Sequence, residues 1–387
     1  MENLSFLDAI LFFQGAGAVA YICFLIFISI GLSRLTSEHL SDDVPYVSVI
    51  IAARNEEVEI ALSLKHLVDQ TYSSDNYEII VVDDHSEDAT FEICRKFADD
   101  EENITVLSLG DYGGVSPKKA ALKLGIQKAR GEIILTTDAD CRVPPDWIKI
   151  MARYFDSETG AVASWLVVEE DRSLLSKVES LDVAALVLVG AGGFGLGRPF
   201  VANGANFGYR KKVYQELNGF DGVENFVSGD DDLFLHKVVN TKKWKCRFAA
   251  DAGATVCTRA NDSLAQFFAQ RFRWASKGSI YPAWLVALEV VIYAYYAILA
   301  ATAVIFVISG FTKWILILPF VLKFTADFLF LKRFSKRAGV SFSIVTQFFA
   351  EWLQIFYVIV VGIGGILGSY TWKGRTYTRG RMKRSKR

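Results

Sequence analysis

The sequence predicts an α/β domain, built on a mainly parallel sheet with helices on both faces, between transmembrane helices at both ends of the chain. Apolar runs of strand length alternate with helical patterns through 45–275, and this alternation is typical of parallel strands joined by crossover helices. Apolar residues crowd into 8–32 and 280–371, which are stretches long enough to cross a bilayer. The region between them has ordinary soluble composition and enough residues for one sizeable core.

The first element is the apolar segment at 8–32, which we interpret as an uncleaved membrane anchor. A cleaved signal peptide is the alternative, because 16–20 resembles a cleavage site, but the amino end has no positive charge and the apolar run continues past that site. Glu2 and Asp8 precede the core of the span and Arg34 follows it. The positive-inside rule therefore predicts that the α/β domain lies in the cytoplasm. We expect an integral protein of a bacterial-type inner or plasma membrane.

Strands and helices then alternate through the first half of the α/β domain. Each apolar run is bounded by turn residues, as buried strands are, and two of the helices have an N-cap residue, Asp88 and Ser116, at their start. The expected strands cover 47–51, 77–82, 104–107 and 133–135, and the expected helices cover 58–69, 88–97 and 116–129.

Polar side chains follow three of these strands at the point where each strand ends. They are residues 54–56, Asp83 with Asp84, and Asp138 with Asp140. The carboxyl ends of parallel strands meet at one edge, where open α/β sheets bind ligands. Asp138 and Asp140 point the same way in extended chain, so they can hold a hard divalent cation together with a diphosphate. One such pair alone is equally typical of a solvated acidic turn, but three polar strand ends on one rim favour a nucleotide site with a metal.

Motifs in the same order resemble a known enzyme family. VSVIIAARNEE at 47–57, VVDDHSED at 81–88, KKAA at 118–121 and TTDADC at 136–141 look like the nucleotide-sugar-binding half of the family 2 glycosyltransferases, which have the GT-A fold. The second half continues the resemblance. Its motifs are NGAN at 203–206, NGFD at 218–221, SGDDDL at 228–233 and QRFRW at 270–274, the last of which matches the family's Q-x-x-R-W.

One motif departs from the family pattern, because Gly229-Asp230 stands where many members have Glu-Asp. Alignment on the following Asp232-Leu233 makes Asp230 the family's catalytic base, and Asp231 is the alternative. The run is also compatible with a charged helix start, since carboxylates are favoured near the positive end of a helix.

The resemblance implies an inverting transfer from a nucleotide-diphosphate sugar, with a UDP-sugar as the expected donor. It assigns Asp138 and Asp140 to a Mg²⁺ or Mn²⁺ ion and Asp230 or Asp231 to the base. Donor-binding residues are expected to be Ala52, Arg54, Glu56, Asp83, Asp84, Lys119 and Asp138. Acceptor- or diphosphate-binding residues are expected to be Asn206, Gln270, Arg273 and Trp274. Lys119 can instead be a solvated helix lysine, and Arg273 with Trp274 can belong to a membrane-proximal belt.

The carboxyl-terminal half predicts spans at 283–309 and 314–332 and a third apolar stretch at about 343–370. Three full crossings would place the basic tail on the side of the membrane away from the α/β domain, whereas the positive-inside rule places it on the same side. We therefore expect part of 343–370 to be interfacial or re-entrant. The apolar segment 183–196 is too short for a span, and we expect it to be interfacial or buried near the acceptor entrance.

Three carboxylates, Glu289, Asp327 and Glu351, lie within the apolar stretches. Charged side chains at such positions usually face a bundle interior or water. Packing against lysine or tyrosine side chains is the alternative to a functional role.

Four regions follow from this organisation. They are a transmembrane anchor (1–36), the cytoplasmic GT-A domain (45–275), a second transmembrane region (280–372) and a basic tail (373–387). The tail carries eight basic residues and no acidic ones, whereas the rest of the chain carries 34 basic and 43 acidic residues. A basic tail beside membrane spans favours an anionic membrane surface as its partner over nucleic acid.

The cysteines and histidines exclude two further classes. The five cysteines are odd in number and lack Cys-x-x-Cys spacing, and the four histidines show no metal-ligand spacing. These patterns argue against a disulfide framework or a zinc site and fit a reducing compartment.

The sequence therefore predicts an integral-membrane, metal-dependent glycosyltransferase that acts on a lipid or membrane-delivered acceptor. Few spans remain to build a pore, but Q-x-x-R-W also occurs in processive polysaccharide synthases, so that alternative stays open. A non-catalytic scaffold would be expected to have lost site carboxylates, and every one is present. A nucleotidyl- or phosphotransferase would not account for Asp230 together with 270–274.

Overall fold

The computed structural model describes residues 6–37, 41–111, 116–310, 312–339, 343–378 and 381–382. Glu2, part of the linker at 38–40 and the tail residues 379–380 and 383–387 lie outside this range, so the expectations that fall on them stay predictions. The helices are α1 (Phe6–Arg34), α2 (Ile60–Val68), α3 (Thr90–Asp100), α4 (Pro117–Lys128), α5 (Trp147–Arg153), α6 (Leu174–Gly195), α7 (Lys211–Glu216), α8 (Asp232–Asn240), α9 (Leu264–Ala275), α10 (Ala283–Ile308), α11 (Leu318–Ala338) and α12 (Ile344–Leu367).

The strands form three sheets. They are β1 (Val47–Ala53), β2 (Tyr77–Asp83), β3 (Ile104–Ser108), β4 (Ile133–Thr136), β5 (Cys141–Arg142), β6 (Thr159–Ser164), β7 (Leu166–Val168), β8 (Phe207–Arg210), β9 (Lys245–Ala249), β10 (Val256–Thr258), β11 (Ser369–Trp372), β12 (Arg375–Thr378) and β13 (Arg381–Met382). The central sheet has the order β3-β2-β1-β4-β8-β6-β9. It is parallel except at β8, which runs antiparallel to both neighbours.

The central sheet is covered on both faces, which is why its strands are continuous apolar runs. All seven residues of β2 are buried, as strands between two helical layers must be. Alternate residues of β1 belong to different cores: Ile50 packs with the apolar residues of α4, and Val49 and Ile51 pack with those of α2. This arrangement confirms the predicted α/β fold class.

The apolar segment expected at 183–196 is the second half of α6, a mostly buried helix that packs along α1. Glycines let these two backbones touch. A Cβ added to Gly31 would lie 2.0 Å from the carbonyl oxygen of Gly192, and one added to Gly195 would lie 2.0 Å from that of Gly31. Contacts this close are available only to glycine, so the crossing ties the anchor helix to the α/β domain.

Four helices are long and apolar enough to cross a membrane, namely Ala9–Arg34, Ala283–Ile308, Trp314–Arg337 and Ile344–Gly365. The last two both end at the α/β domain. Just after α11, a Cβ added to Gly339 would lie 3.4 Å from Val167 Cγ1 of β7, and near the end of α12, Gly364 packs against Phe272.

The chain between α11 and α12 is too short for α12 to start at the opposite membrane surface. Ala338 and Ile344 are six residues apart, which allows at most about 20 Å, and the hydrocarbon layer is about 30 Å thick. This bound supports the expectation that the last apolar stretch is not a full crossing. It also explains how β11 and β12 come to lie beside the α/β domain.

Two of the three carboxylates in the apolar stretches face the interior of the helix bundle. The Lys323 ammonium lies 2.7 Å from an Asp327 oxygen and also pairs with Glu351. Tyr21 of α1 donates a hydrogen bond of 2.7 Å to Asp327. This buried cluster links α1, α11 and α12, and its single ammonium group contacts both carboxylates, as charged groups within a membrane usually contact a partner of opposite sign.

We predict that Gly31→Leu destabilises the protein by about 3 kcal/mol or more, because the new side chain would overlap the backbone of α6. Gly15→Leu is the matched control, because it lies in the same helix with no heavy atom within 4 Å of an added Cβ. Thermal unfolding of the purified protein in detergent measures the difference. Equal melting temperatures for the two variants would contradict the close α1–α6 contact.

Candidate active site

The carboxyl ends of β1, β2 and β4 meet at one rim of the central sheet. Ala53 pairs with Asp83 at the end of β2, and Ile50 pairs with Thr136 at the end of β4. A cavity of about 1580 Å³ opens at this rim. Most of the predicted site residues line it, namely Ala52, Arg54, Glu56, Asp84, Asp138, Asp140, Asp230, Asp231, Gln270, Arg273 and Trp274.

Two predicted site residues, Asp83 and Asn206, lie behind the cavity wall. Asp83 is 6% exposed, and its Oδ1 has no hydrogen-bond partner in the described part of the protein. The Asn206 side chain is fully buried, accepts a hydrogen bond of 2.9 Å from Trp147 Nε1 and donates to the carbonyl oxygens of Trp165 and Ala254. Asn206 therefore supports the wall from behind.

Lys119 does not reach the cavity either. Its side chain is 1% exposed, and its Nζ donates hydrogen bonds of 2.6 and 2.8 Å to the carbonyl oxygens of Phe226 and Ser228. Burial lowers the pKa of Lys119 to about 8. The residue thus braces the loop that carries Asp230, which is not the phosphate contact that the sequence predicts for it.

The turn after β4 brings together Asp138, Asp140 and Cys141, whose oxygen and sulfur atoms all lie within 4.8 Å of one another. Burial, together with the negative charge of Asp138, raises the pKa of Asp140. Burial also raises the pKa of the Cys141 thiol, so the thiol stays protonated and is a poor ligand. Two carboxylates in close repulsion are the donor set that a hard divalent cation requires, and these residues fit Mg²⁺ or Mn²⁺.

Lys118 connects this acidic turn to the second half of the domain. Its Nζ lies 2.8 Å from Asp138 Oδ1 and 3.2 Å from Asp230 Oδ2. Burial would lower the pKa of Lys118, but the two carboxylates raise it above its ordinary value, so the ammonium stays charged. Burial would likewise raise the pKa of Asp138, but Lys118 holds it below its usual range. One ammonium group therefore brings both acidic centres into a single site.

Asp230 and Asp231 have different surroundings at the start of α8. Asp231 is the N-cap: its oxygens accept hydrogen bonds of 2.7 Å from the Asp232 N–H and 2.9 Å from the Gly204 N–H. Burial would raise the pKa of Asp231, but Lys277 and these donors lower it to about 2. Gly229 before them has φ +88°, a left-handed conformation that favours glycine, at the position where many family motifs have Glu.

A hairpin at the carboxyl end covers the cavity rim near β1 and β2. β11 and β12 pair antiparallel around a Lys373-Gly374 turn with positive φ at both residues, the geometry of a tight hairpin turn. Lys373 pairs with Glu56, and Arg375 pairs with Asp84, with Nη2 lying 3.0 Å from Oδ1. This hairpin was not predicted from the sequence, although the alternation of polar and aromatic residues around Lys-Gly in SYTWKGRTYT is typical of a hairpin.

Arg54 and Glu56 link the rim to this hairpin. Arg54 donates hydrogen bonds to the carbonyl oxygens of Asp84 at 2.7 Å, His85 at 2.6 Å and Lys373 at 3.2 Å. Burial raises the pKa of Glu56 to about 7, against the opposing charge of Lys373. Both residues therefore help to fix the conformation of the rim and also contribute to its charge.

The Q-x-x-R-W motif lies on α9. Arg271 pairs with Asp182 at 2.7 Å, and its guanidinium carbon lies 4.3 Å from the centroid of the Trp274 ring. Arg273 points the other way, with its guanidinium carbon 4.7 Å from the centroid of the Trp372 ring in the hairpin. Arg271, which the sequence analysis did not single out, thus orients Trp274, and Arg273 faces the hairpin end of the cavity.

Two family models match most of the chain. "Glycosyl transferase family group 2" matches residues 133–367, and "Glycosyl transferase family 2" matches residues 48–217. The mannosyltransferase PcManGT from Pyrobaculum calidifontis shares the fold, with a TM-score of 0.59 and 18% sequence identity over 90% of this chain and 99% of that chain.

Curated relatives match over part of their length. The probable glycosyltransferase YdaM of Bacillus subtilis is 28% identical over 60% of this chain and 55% of its own length. A beta-monoglucosyldiacylglycerol synthase of Nostoc sp. is 34% identical over 33% of this chain and 28% of its own. An undecaprenyl-phosphate 4-deoxy-4-formamido-L-arabinose transferase of Pectobacterium atrosepticum is 32% identical over 38% of this chain and 44% of its own. The chain thus spans about half the length of these relatives or less.

We predict that methionine in place of Lys119 mainly lowers stability, whereas methionine in place of the adjacent Lys118 mainly lowers the catalytic rate. Lys119→Met should destabilise the fold by about 1–3 kcal/mol, because two buried carbonyl oxygens lose their donor. Lys118→Met should leave the melting temperature closer to wild type and lower the catalytic rate about 100-fold, since the charge between Asp138 and Asp230 is lost. Thermal unfolding and steady-state kinetics on both variants test this, and identical profiles would refute the distinction.

Proposed function

The chain belongs to glycosyltransferase family 2 and is a glycosyltransferase. We propose that it moves a sugar from a nucleotide-diphosphate sugar to a lipid at the cytoplasmic face of the membrane, with UDP as the expected nucleotide. One observation carries the proposal. The Lys118 ammonium bonds both Asp138 and Asp230, in a cavity that continues from the sheet rim to the helices of the membrane region. Donor and acceptor can therefore meet beside this ion pair.

The donor occupies the end of the cavity beneath the hairpin. Asp138 and Asp140 would hold a Mg²⁺ or Mn²⁺ ion, which would neutralise charge on the departing diphosphate. Arg273 adds a positive charge near Asp138. Its guanidinium group lies against the Trp372 ring, and its charge helps to lower the pKa of Asp138. Ala52, Arg54, Glu56 and Asp84 line the nucleotide side of this end.

Asp230 is the better candidate for the base. Asp231 is engaged as a helix cap, and its pKa of about 2 makes it a weak proton acceptor. Asp230 lines the cavity and bonds only Lys118 among the described residues. In the proposed step the acceptor hydroxyl loses its proton to Asp230 while its oxygen attacks the anomeric carbon. The bond from that carbon to the nucleoside diphosphate breaks at the same time, so the anomeric configuration is inverted in one displacement.

The lipid acceptor is supported by the membrane helices and by the names of two relatives. α10 and α12 contribute apolar residues to the cavity wall, and the Nostoc and Pectobacterium relatives are named for a diacylglycerol and an undecaprenyl phosphate. A processive synthase is distinguished by its product, because it would yield a long polymer where a lipid glycosyltransferase yields one or a few added sugars.

We predict that Asp230→Asn lowers the rate of transfer by about 10²–10⁴-fold, because the general base is removed without loss of shape. Asp231→Asn, the matched control, should leave turnover close to wild type and keep the helix cap, because asparagine caps a helix about as well as aspartate. The assay follows radiolabelled sugar from a panel of nucleotide sugars into lipid extract, and thermal unfolding is measured beside it. A variant with Asp230→Asn that keeps wild-type turnover would rule out this base.

Removal of divalent cations should abolish transfer, because the charge of the departing diphosphate would no longer be neutralised by a cation at Asp138 and Asp140. Activity should return on addition of Mn²⁺ or Mg²⁺, and Asp140→Asn should require about tenfold or more of the cation for half-maximal activity. Titration of EDTA-treated enzyme measures both effects. Full activity in EDTA would disprove metal dependence.

A further inference from the structure

One part of the cavity wall is apolar. It runs between α6, α10 and α12, the last two of which are apolar enough to cross a membrane. Its apolar wall includes Val187, Val286, Val290, Val358, Val361 and Ile363. Hydrocarbon chains from the bilayer can therefore reach the catalytic groups without leaving an apolar surface.

The charged groups where this apolar wall meets the active site are mainly acidic. Asp230, Asp231, Asp232 and Glu289 all line the cavity there, and Lys277 lies among them. Lys277 pairs with Asp232 and lies 3.4 Å from Asp231, so its charge is already matched. This part of the cavity carries a negative excess.

Nearly every cation that lines the cavity is engaged with a carboxylate. This is so for Arg54, Lys118, Arg259, Arg271, Lys277, Lys373 and Arg375. Among the described residues Arg273 is the exception, and it lies at the donor end against Trp372 of the hairpin. An anionic head group at the acceptor end, in addition to the diphosphate of the donor, would therefore meet no unpaired cation among the described residues.

Glu289 stands at the boundary between the acidic and apolar parts. It follows Val286 and precedes Val290 on α10, and its carboxylate lines the cavity. A Cβ added to Gly278 would lie 2.9 Å from Glu289 Oε2. The absence of a side chain at Gly278 therefore provides space for the Glu289 carboxylate. No hydrogen bond or ion pair to Glu289 is found among the described residues, so its carboxylate is available to interact with a molecule in the cavity.

These charges discriminate between two kinds of lipid head group. A phosphate monoester carries a charge of about −1.5 to −2 at neutral pH. Placed beside Glu289 and the three aspartates without a free cation, it would be a buried, unpaired anion, which is strongly unfavourable. A hydroxyl group carries no charge and can donate its hydrogen bond to a carboxylate.

Resting on the proposed function, we infer that the acceptor is a neutral lipid with a free hydroxyl group, and that Glu289 is a specificity residue that excludes lipid phosphates. The hydroxyl oxygen forms a bond to the anomeric carbon, and the bond from that carbon to the diphosphate breaks with its electron pair on the phosphate oxygen. The hydroxyl proton passes to Asp230. The products are an O-glycoside of the lipid and a nucleoside diphosphate.

The chemical nature of the linkage tests the inference without knowledge of the lipid. Purified full-length protein in vesicles of total bacterial lipid is supplied with Mn²⁺ and a panel of radiolabelled nucleotide sugars, and the labelled lipid is treated with mild acid. An O-glycoside survives this treatment, as the inference requires, whereas a glycosyl phosphodiester is cleaved. Acid-labile label would overturn the inference and leave the proposed function standing; no lipid label with any donor would overturn both.

The role of Glu289 is tested with a matched pair of competitors, hexadecyl phosphate and hexadecanol, which differ only in the phosphate. In the wild type, hexadecanol should inhibit transfer more strongly. Glu289→Gln should lower the ratio of the two inhibition constants about tenfold in favour of the phosphate, because one repulsive charge is removed. Glu289→Asp, which keeps the charge, should preserve the wild-type ratio. A ratio unchanged in Glu289→Gln would overturn the assignment of Glu289.

Discussion

One partly exposed ammonium group, that of Lys118, pairs with both acidic centres of the site. Lys118 lies between Asp138, which follows β4, and Asp230 ahead of α8, and its positive charge offsets part of the repulsion between the two carboxylates. The carboxyl ends of the strands supply one acidic centre, and the loop that Lys119 braces supplies the other. The two halves of the domain are therefore coupled through a single helix, α4, whose first turn carries both lysines.

The sequence predicted those features that depend on local pattern and strand order. Parallel strands end at one rim, so Arg54, Asp84 and Asp138 could be placed together before any coordinates were known. It could not distinguish Lys118 from Lys119, because neighbours in a helix differ in direction by about 100° and the facing direction is set by tertiary packing. Nor could it place Asn206 behind the wall, since that depends on which carbonyls remain unpaired nearby.

The carboxyl-terminal hairpin is the part of the structure that differs most from what the sequence predicts. A tail expected to bind an anionic membrane surface begins with a hairpin whose basic residues reach Glu56 and Asp84, although Arg375 and Asp84 are 291 residues apart. Such pairing cannot be inferred from composition, because charge count says nothing about which carboxylate a lysine or arginine will meet. The hairpin reaches the rim because α12 ends at the α/β domain, so the path of α12 and the shape of the donor site are linked.

The central claim is that the cation and the base serve one substrate from either side of Lys118. The most direct test is an experimental structure of the protein with Mn²⁺ and UDP, in which anomalous scattering locates the metal. The account predicts one strong anomalous peak bonded to oxygens of Asp138 or Asp140 and to the diphosphate, on the same cavity as Asp230. A peak bound elsewhere, or a diphosphate that lies away from Lys118 and Asp230, would contradict it.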